Sequence, residues 1–176
     1  MCLLSRKDAA RCPLPAQTER LPRYANAVVK YHLAQYNIAK LIEPLDTPRL
    51  ADFIAALDPL NRLADESPGF VWRHQTEDGN STAIRVRGDP MIIINFSVWE
   101  SIESLFEYAY HSDHVEMFRR RLEFFEHMDL PYLVLWWIPA GREPTVEEAE
   151  ARLDYLRGNG PSPYAFSFKK RFDPVE

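Results

Sequence analysis

The chain has only two cysteines, little positive charge and no long apolar run, and each shortage removes a class of protein. Cys2 and Cys12 sit close together near the start of the chain. A bridge between them would close a short loop outside the expected core, so a disulfide scaffold is excluded. No apolar stretch approaches the ~20 residues of a membrane helix, and Leu3-Leu4 is too brief for the hydrophobic part of a signal peptide. The expectation is a reduced, cytoplasmic protein with no membrane partner. A formal charge of −5 conceals an asymmetry: the first 30 residues hold 6 Lys/Arg against 2 Asp/Glu, the remainder 15 against 24. An acidic body repels phosphate backbones, and the basic clusters at 119–121 and 169–171 are too short to form a stripe, so no nucleic-acid partner is expected. A Gly-rich phosphate loop, a nucleophile elbow, a CxxC pair and an HExxH helix are all missing, which takes away the usual markers of nucleotide-dependent and hydrolytic chemistry.

What is present describes one domain. The 176 residues are 46% hydrophobic and 27% charged, close to globular averages, with 14 prolines and 12% aromatics as the unusual entries in the composition. Residues 1–27 carry Pro13, Pro15, Pro22 and several basic side chains without hydrophobic periodicity, and read as a flexible N-terminal extension. Residues 28–174 read as a single folded domain.

Within that domain, polar and apolar residues mix over 28–38 as in a strand that uses both faces. Thr47-Pro48 opens a helix with Leu50, Phe53, Ile54 and Leu57 at helical spacing, and Asp58-Pro59 should kink or restart it. Strands are predicted from Phe70, around 82–87, and at 91–96, the last a nearly continuous apolar run. Ser97 and Glu100 fit a capping box for a second helix that breaks near Ser112 or Asp113 and resumes through Val115, Phe118, Leu122 and Phe125. A second apolar strand occupies 132–138. Thr145 and Glu148 cap a third helix, and 164–172 closes the domain as a strand. Without the small insertion at 82–87, the order β, α, β, β, α, β predicts an α+β domain, the ferredoxin-like split βαβ arrangement with an antiparallel sheet. Helices can cover one face of such a sheet, yet its central strands are apolar on both. A second copy of the chain is therefore expected on the other face, giving a dimeric α/β barrel and a homodimer.

Polar side chains inside apolar strands carry the functional information. Gln35, Asn37, Arg73 and Asn95 must form a network, face water or line a cavity, because burying each unpaired costs roughly 1–3 kcal/mol. His111 and His114 stand at a spacing that metal sites use, but no third ligand lies nearby, so no metal is expected. Trp136 and Trp137 are adjacent in a strand and must point to opposite faces. The predicted pocket gathers Trp72, Arg73 and His74 from one strand, Asn95 from another and Tyr108, His111 and His114 from the crossing helix, with Asn37 and Trp136 as further candidates for its wall.

The stretch Ser67-Pro-Gly-Phe-Val-Trp-Arg-His74, the run Asn95-Phe-Ser-Val-Trp-Glu-Ser101 and residues 108–114 together resemble the domain of unknown function 3291 family, over roughly 28–174. That family is related to the antibiotic-biosynthesis monooxygenases of the dimeric α/β barrel superfamily. The resemblance implies cofactor-free oxygenation of electron-rich aromatic compounds, or binding or breakdown of haem. For haem, Asn37 or Gln35 could stand for the Asn of the first strand, but Tyr108 stands where that branch has Trp. Phe118 falls near the position of the axial His and cannot ligate iron. No cofactor is therefore expected. The resemblance leaves a small-ligand protein, monooxygenase-like, in which His111 or His114 takes a proton from an apolar aromatic substrate and Arg73 or Asn95 stabilises the oxyanion. The alternative is a non-catalytic ligand-binding or structural dimeric module.

Deleting residues 1–27 should leave the melting temperature nearly unchanged. A loss of several degrees would show that the extension packs on the domain.

Overall fold

The computed structural model describes residues 31–175 apart from positions 78, 83, 85 and 113; the predicted extension at 1–27 lies outside them. Four strands, β1 (Tyr31–Lys40), β2 (Phe70–Arg73), β3 (Ile92–Trp99) and β4 (Leu133–Pro139), form one antiparallel sheet in the order β2-β3-β1-β4. Helix α1 (Ala51–Asp65) connects β1 to β2. Helices α2 (Ile102–His111), α3 (His114–Arg119) and α4 (Arg121–Phe124) connect β3 to β4, and α5 (Val146–Asn159) follows β4. The central place of β1 and β3 agrees with the split βαβ pattern.

Because successive strand side chains point to opposite faces, the register sorts the sheet into two surfaces. Leu33 lies opposite both Trp99 and Trp137, and Asn37 opposite both Asn95 and Leu133, so these residues share one face, here called the odd face. It packs against α1 and α2 through Ala64, Ile102 and Leu105. Ala34, Tyr36, Ile38, Phe96, Val98 and Trp136 share the even face, where Ala149, Leu153 and Leu156 of α5 cover them.

This overturns the premise of the barrel expectation. One chain covers both faces of its own sheet, because the helix after β4 crosses to the side that α1 and α2 leave bare. Trp136 and Ala34 have no exposed surface without any second copy.

Other departures have local causes. Pro59 lies inside an unbroken α1. The Ser97 cap is not formed: Ser97 is paired to Gln35 on one side and Arg73 on the other, and these two ladders hold the chain extended to Trp99. The cap passes to Ser101, whose Oγ accepts from the Ser104 N–H at 3.1 Å. Thr145 caps α5 as expected, accepting from the Glu148 N–H at 3.2 Å. The strand expected over 164–172 is reduced to isolated bridges, and the one that joins the sheet has Phe166 and Leu135 exchanging backbone hydrogen bonds of 2.8 and 2.9 Å along the outer edge of β4. No described residue of 82–87 is in a strand. That segment is anchored by side chains instead, with Val86 buried in the even-face core and Arg87 paired to Glu150 at 2.8 Å and Asp154 at 2.7 Å.

Leu153 is fully buried in the layer that α5 lays on the even face. Leu153→Ala should lower unfolding free energy in urea by about 2–5 kcal/mol, the cost of deleting a packed leucine side chain. A change below about 1 kcal/mol would show that α5 is only loosely docked.

Candidate functional site

The odd face is not closed by packing alone. Between it and helices α1, α2 and α3 lies a cavity of about 400 Å³, whose apolar walls include Phe53, Leu57 and Leu60 of α1, Leu105 of α2 and Met117 and Phe118 of α3. Its floor is polar. Gln35 and Asn37 on β1 face Ser97 and Asn95 on β3 across the central ladder.

Three of these four groups form one hydrogen-bonded chain with the indole of Trp99. Trp99 Nε1 donates to Ser97 Oγ at 2.9 Å, Ser97 Oγ to Gln35 Oε1 at 2.8 Å, and Gln35 Nε2 to Asn37 Oδ1 at 2.7 Å. The chain explains how Gln35 and Ser97 stay buried, since each of their side-chain nitrogen and oxygen atoms has a hydrogen-bond partner. Asn95 stands outside it. Its side chain makes no hydrogen bond with any described residue, and although it sits mid-strand between buried Ile94 and Phe96 it is exposed, because the cavity opens above it.

The break after α2 positions the histidine. Ser112 Oγ donates to the Tyr108 carbonyl at 2.5 Å and accepts from the His114 N–H at 3.2 Å, ending one helix and starting the next. The turn folds His114 back so that its ring lies 5.0 Å from the Tyr108 ring, which itself stacks on Trp99 at 5.1 Å. His114 Nδ1 is 3.2 Å from the Ala109 carbonyl. A carbonyl only accepts, so Nδ1 carries the proton and neutral His114 presents Nε2 as an acceptor. Burial pushes its pKa below the ordinary value, with the Ala109 bond a smaller opposing effect. Burial also raises the Tyr108 phenol well above its usual range, and its hydroxyl donates to the Leu60 carbonyl at 3.3 Å.

The predicted site residues therefore separate. Asn37, Arg73, His74, Asn95, Tyr108 and His114 line the cavity. His111 does not: it ends α2 on an exposed surface beside Phe106, and the helix break parts it from His114. Trp72 and Trp136 pack into the even-face core, with the Arg152 guanidinium 5.2 Å from the Trp136 ring centre. Arg73 is already engaged, holding both oxygens of Asp65 at 2.8 and 3.2 Å and the Gly79 carbonyl at 2.7 Å. The ring of His74 rests against Trp72 and Phe96 at the rim. Ser97 was missed because it reads as a helix cap. Period-two spacing from Asn95 places it on the cavity side. Asn61 of α1 also lines the cavity, while the apolar wall residues of α1 and α3 carry no mark that sets them apart from core. Among the described residues no group of three or more His, Cys, Asp or Glu side chains is placed to hold a metal.

The family described as domain of unknown function (DUF3291) matches residues 32–176. The chain belongs to this family. The matched DUF3291 region includes all four strands apart from the first residue of β1, and every residue of the cavity. No curated protein matches the chain. Among solved structures, it is similar to a Nitrosomonas europaea protein of unknown function at 14% identity and a TM-score of 0.43, covering 66% of this chain and 98% of that one. A conserved Methanosarcina mazei protein is 13% identical with a TM-score of 0.44, covering 63% and 94%. A Pseudomonas aeruginosa protein is 13% identical with a TM-score of 0.42, covering 66% and 98%.

The lowered pKa of His114 makes stability depend on pH. The unfolded chain takes up a proton near the ordinary histidine value of 6.5 while the folded site resists it, so this stability is complete above 6.5 and is lost as pH falls through the lower folded value. Urea stability should thus drop on acidification from about pH 7.5 to about pH 5.5, and His114→Gln should flatten the slope. An unchanged slope in the variant would show that His114 is not the group responsible.

Proposed function

We propose that this chain binds a small, largely apolar ligand in the cavity above Asn37 and Asn95. The observation that carries the reading is Asn95, an amide without a hydrogen-bond partner among the described residues, at the polar floor of a chamber whose helical walls are mainly apolar. Apolar walls give affinity and a few convergent polar groups give orientation, the usual composition of a small-molecule site. A volume of about 400 Å³ suits a compound of one or two rings. The cavity is walled by one chain, so the reading holds whether or not two copies pair as a barrel.

His114 favours a second reading, a monooxygenase-like reaction. A neutral imidazole with Nε2 open to accept would take the proton of a phenol or enol, and the Asn37 and Asn95 amides, rather than the engaged Arg73, would hold the oxyanion. Dioxygen would be the oxidant of that anion. Oxygen uptake with a phenolic ligand, abolished by His114→Gln while binding remains, is the result that separates catalysis from binding.

The binding reading is tested by thermal shift with bicyclic aromatic probes such as 1-indanone. At about a hundred times the dissociation constant, a ligand should raise the melting temperature by about 5–10 °C. Leu57→Trp, which fills the chamber from α1, should abolish that rise. No shift from any probe in the unaltered protein, together with a higher melting temperature for Leu57→Trp, would instead favour the structural-module alternative.

A further inference from the structure

We infer that Trp99 sets the polarity of the cavity, so that the site selects ligands that accept a hydrogen bond over ligands that donate one. The inference rests on the ligand-binding reading and names the chemistry that reading leaves open.

The argument begins with a group that has no choice. An indole N–H donates and never accepts, whereas hydroxyl and amide groups can turn either way. Trp99 is fully buried, and among the described residues its indole N–H has one acceptor, Ser97 Oγ at 2.9 Å. Ser97 Oγ must therefore receive this proton and direct its own elsewhere. The acceptor it reaches is Gln35 Oε1 at 2.8 Å. With its oxygen so occupied, Gln35 turns its NH₂ toward Asn37 and meets Oδ1 at 2.7 Å. Reversing Gln35 would present its NH₂ to Ser97 and leave the buried serine proton without that acceptor.

Asn37 is the last member and lines the cavity. Its oxygen is taken, and among the described residues nothing accepts from its Nδ2. The relay thus fixes which end of the Asn37 amide is uncommitted: two N–H donors are left for the cavity, and the oxygen is the atom already held by Gln35. Asn95, directly opposite in the ladder and outside the relay, can rotate to suit whatever binds. Asn37 discriminates and Asn95 adapts. A ketone, ester, carboxylate or phenolate oxygen satisfies Asn37, while a donor-only group meets two N–H bonds head-on and leaves them unpaired.

The test uses 1-indanone, an acceptor, and indole, a donor of similar size, with the full chain. Wild-type protein should bind 1-indanone about tenfold more tightly than indole, the scale of one satisfied against one unsatisfied neutral hydrogen bond. Ser97→Ala cuts the relay with little change in volume and should bring the ratio near one. Trp99→Phe, which removes the obligate donor, should do the same. A readout without ligand accompanies these: proton exchange of the side-chain amides by NMR should be slow for Gln35 and fast for Asn37, and Ser97→Ala should erase the difference. Indole binding as tightly as 1-indanone, a ratio unmoved by both variants, or Asn37 exchanging more slowly than Gln35 would each overturn the inference. If the exchange difference is present but neither probe binds, the ligand reading itself fails and the selectivity falls with it, while the relay stands as a structural feature.

Discussion

The structure depends on one constraint, the alternation of side chains along β1 and β3. Leu33 and Trp99 share a face with Gln35, Asn37, Asn95 and Ser97, so a surface that must pack against helices also carries four polar groups at its centre. Two outcomes are open to such a surface. Each polar group finds a partner within the layer, or the layer opens there. This protein uses both. Trp99, Ser97, Gln35 and Asn37 satisfy one another in sequence, and above Asn95 the helices stand off to leave the cavity. The site and the core are thus made from the same strands, at neighbouring positions.

The opposite face shows the same constraint met without a cavity. Tyr36 is fully buried, and its hydroxyl donates to Glu150 of α5, which also pairs with Arg87 at 2.8 Å. Burial, followed by the carboxylate beside it, pushes the Tyr36 phenol far above its ordinary range, so it remains a donor. Arg87 adopts φ +57°, a left-handed conformation uncommon for a residue with a side chain, and its pairs with Glu150 and Asp154 hold it there. These contacts fasten α5 and Arg87, next to buried Val86, over the even face. Closing that face within one chain leaves the odd face as the side on which a ligand can be accommodated.

Legibility in the sequence followed range. Alternating polar and apolar residues mark β1, a nearly continuous apolar run marks β3, the capping pattern Thr145/Glu148 marks α5, and Ser112 or Asp113 marks the break after α2, because each signal acts within a few residues. The suspicion attached to Gln35, Asn37 and Asn95 was also local, resting on polar residues within apolar strands. Ser97 shows where local signals mislead: a serine three residues before a glutamate fits a cap, but pairing to strands remote in sequence kept it extended. His111 and His114 show it again, since their spacing implies a shared helical face that the Ser112 turn removes.

Apart from the strands expected at 82–87 and 164–172, sequence alone determined the kinds and order of the main elements, the two-sided apolar character of the central strands, and the presence of polar groups that needed an explanation. These follow from backbone propensity and side-chain period, which are properties of neighbouring residues. Tertiary structure decided which groups meet. It sent α5 to the even face, committed Arg73 to Asp65, buried Trp136 away from the cavity, and set the direction of the relay from Trp99 to Asn37. Those outcomes could not be read in advance, because whether a polar side chain is free to act depends on the partner that long-range packing brings to it.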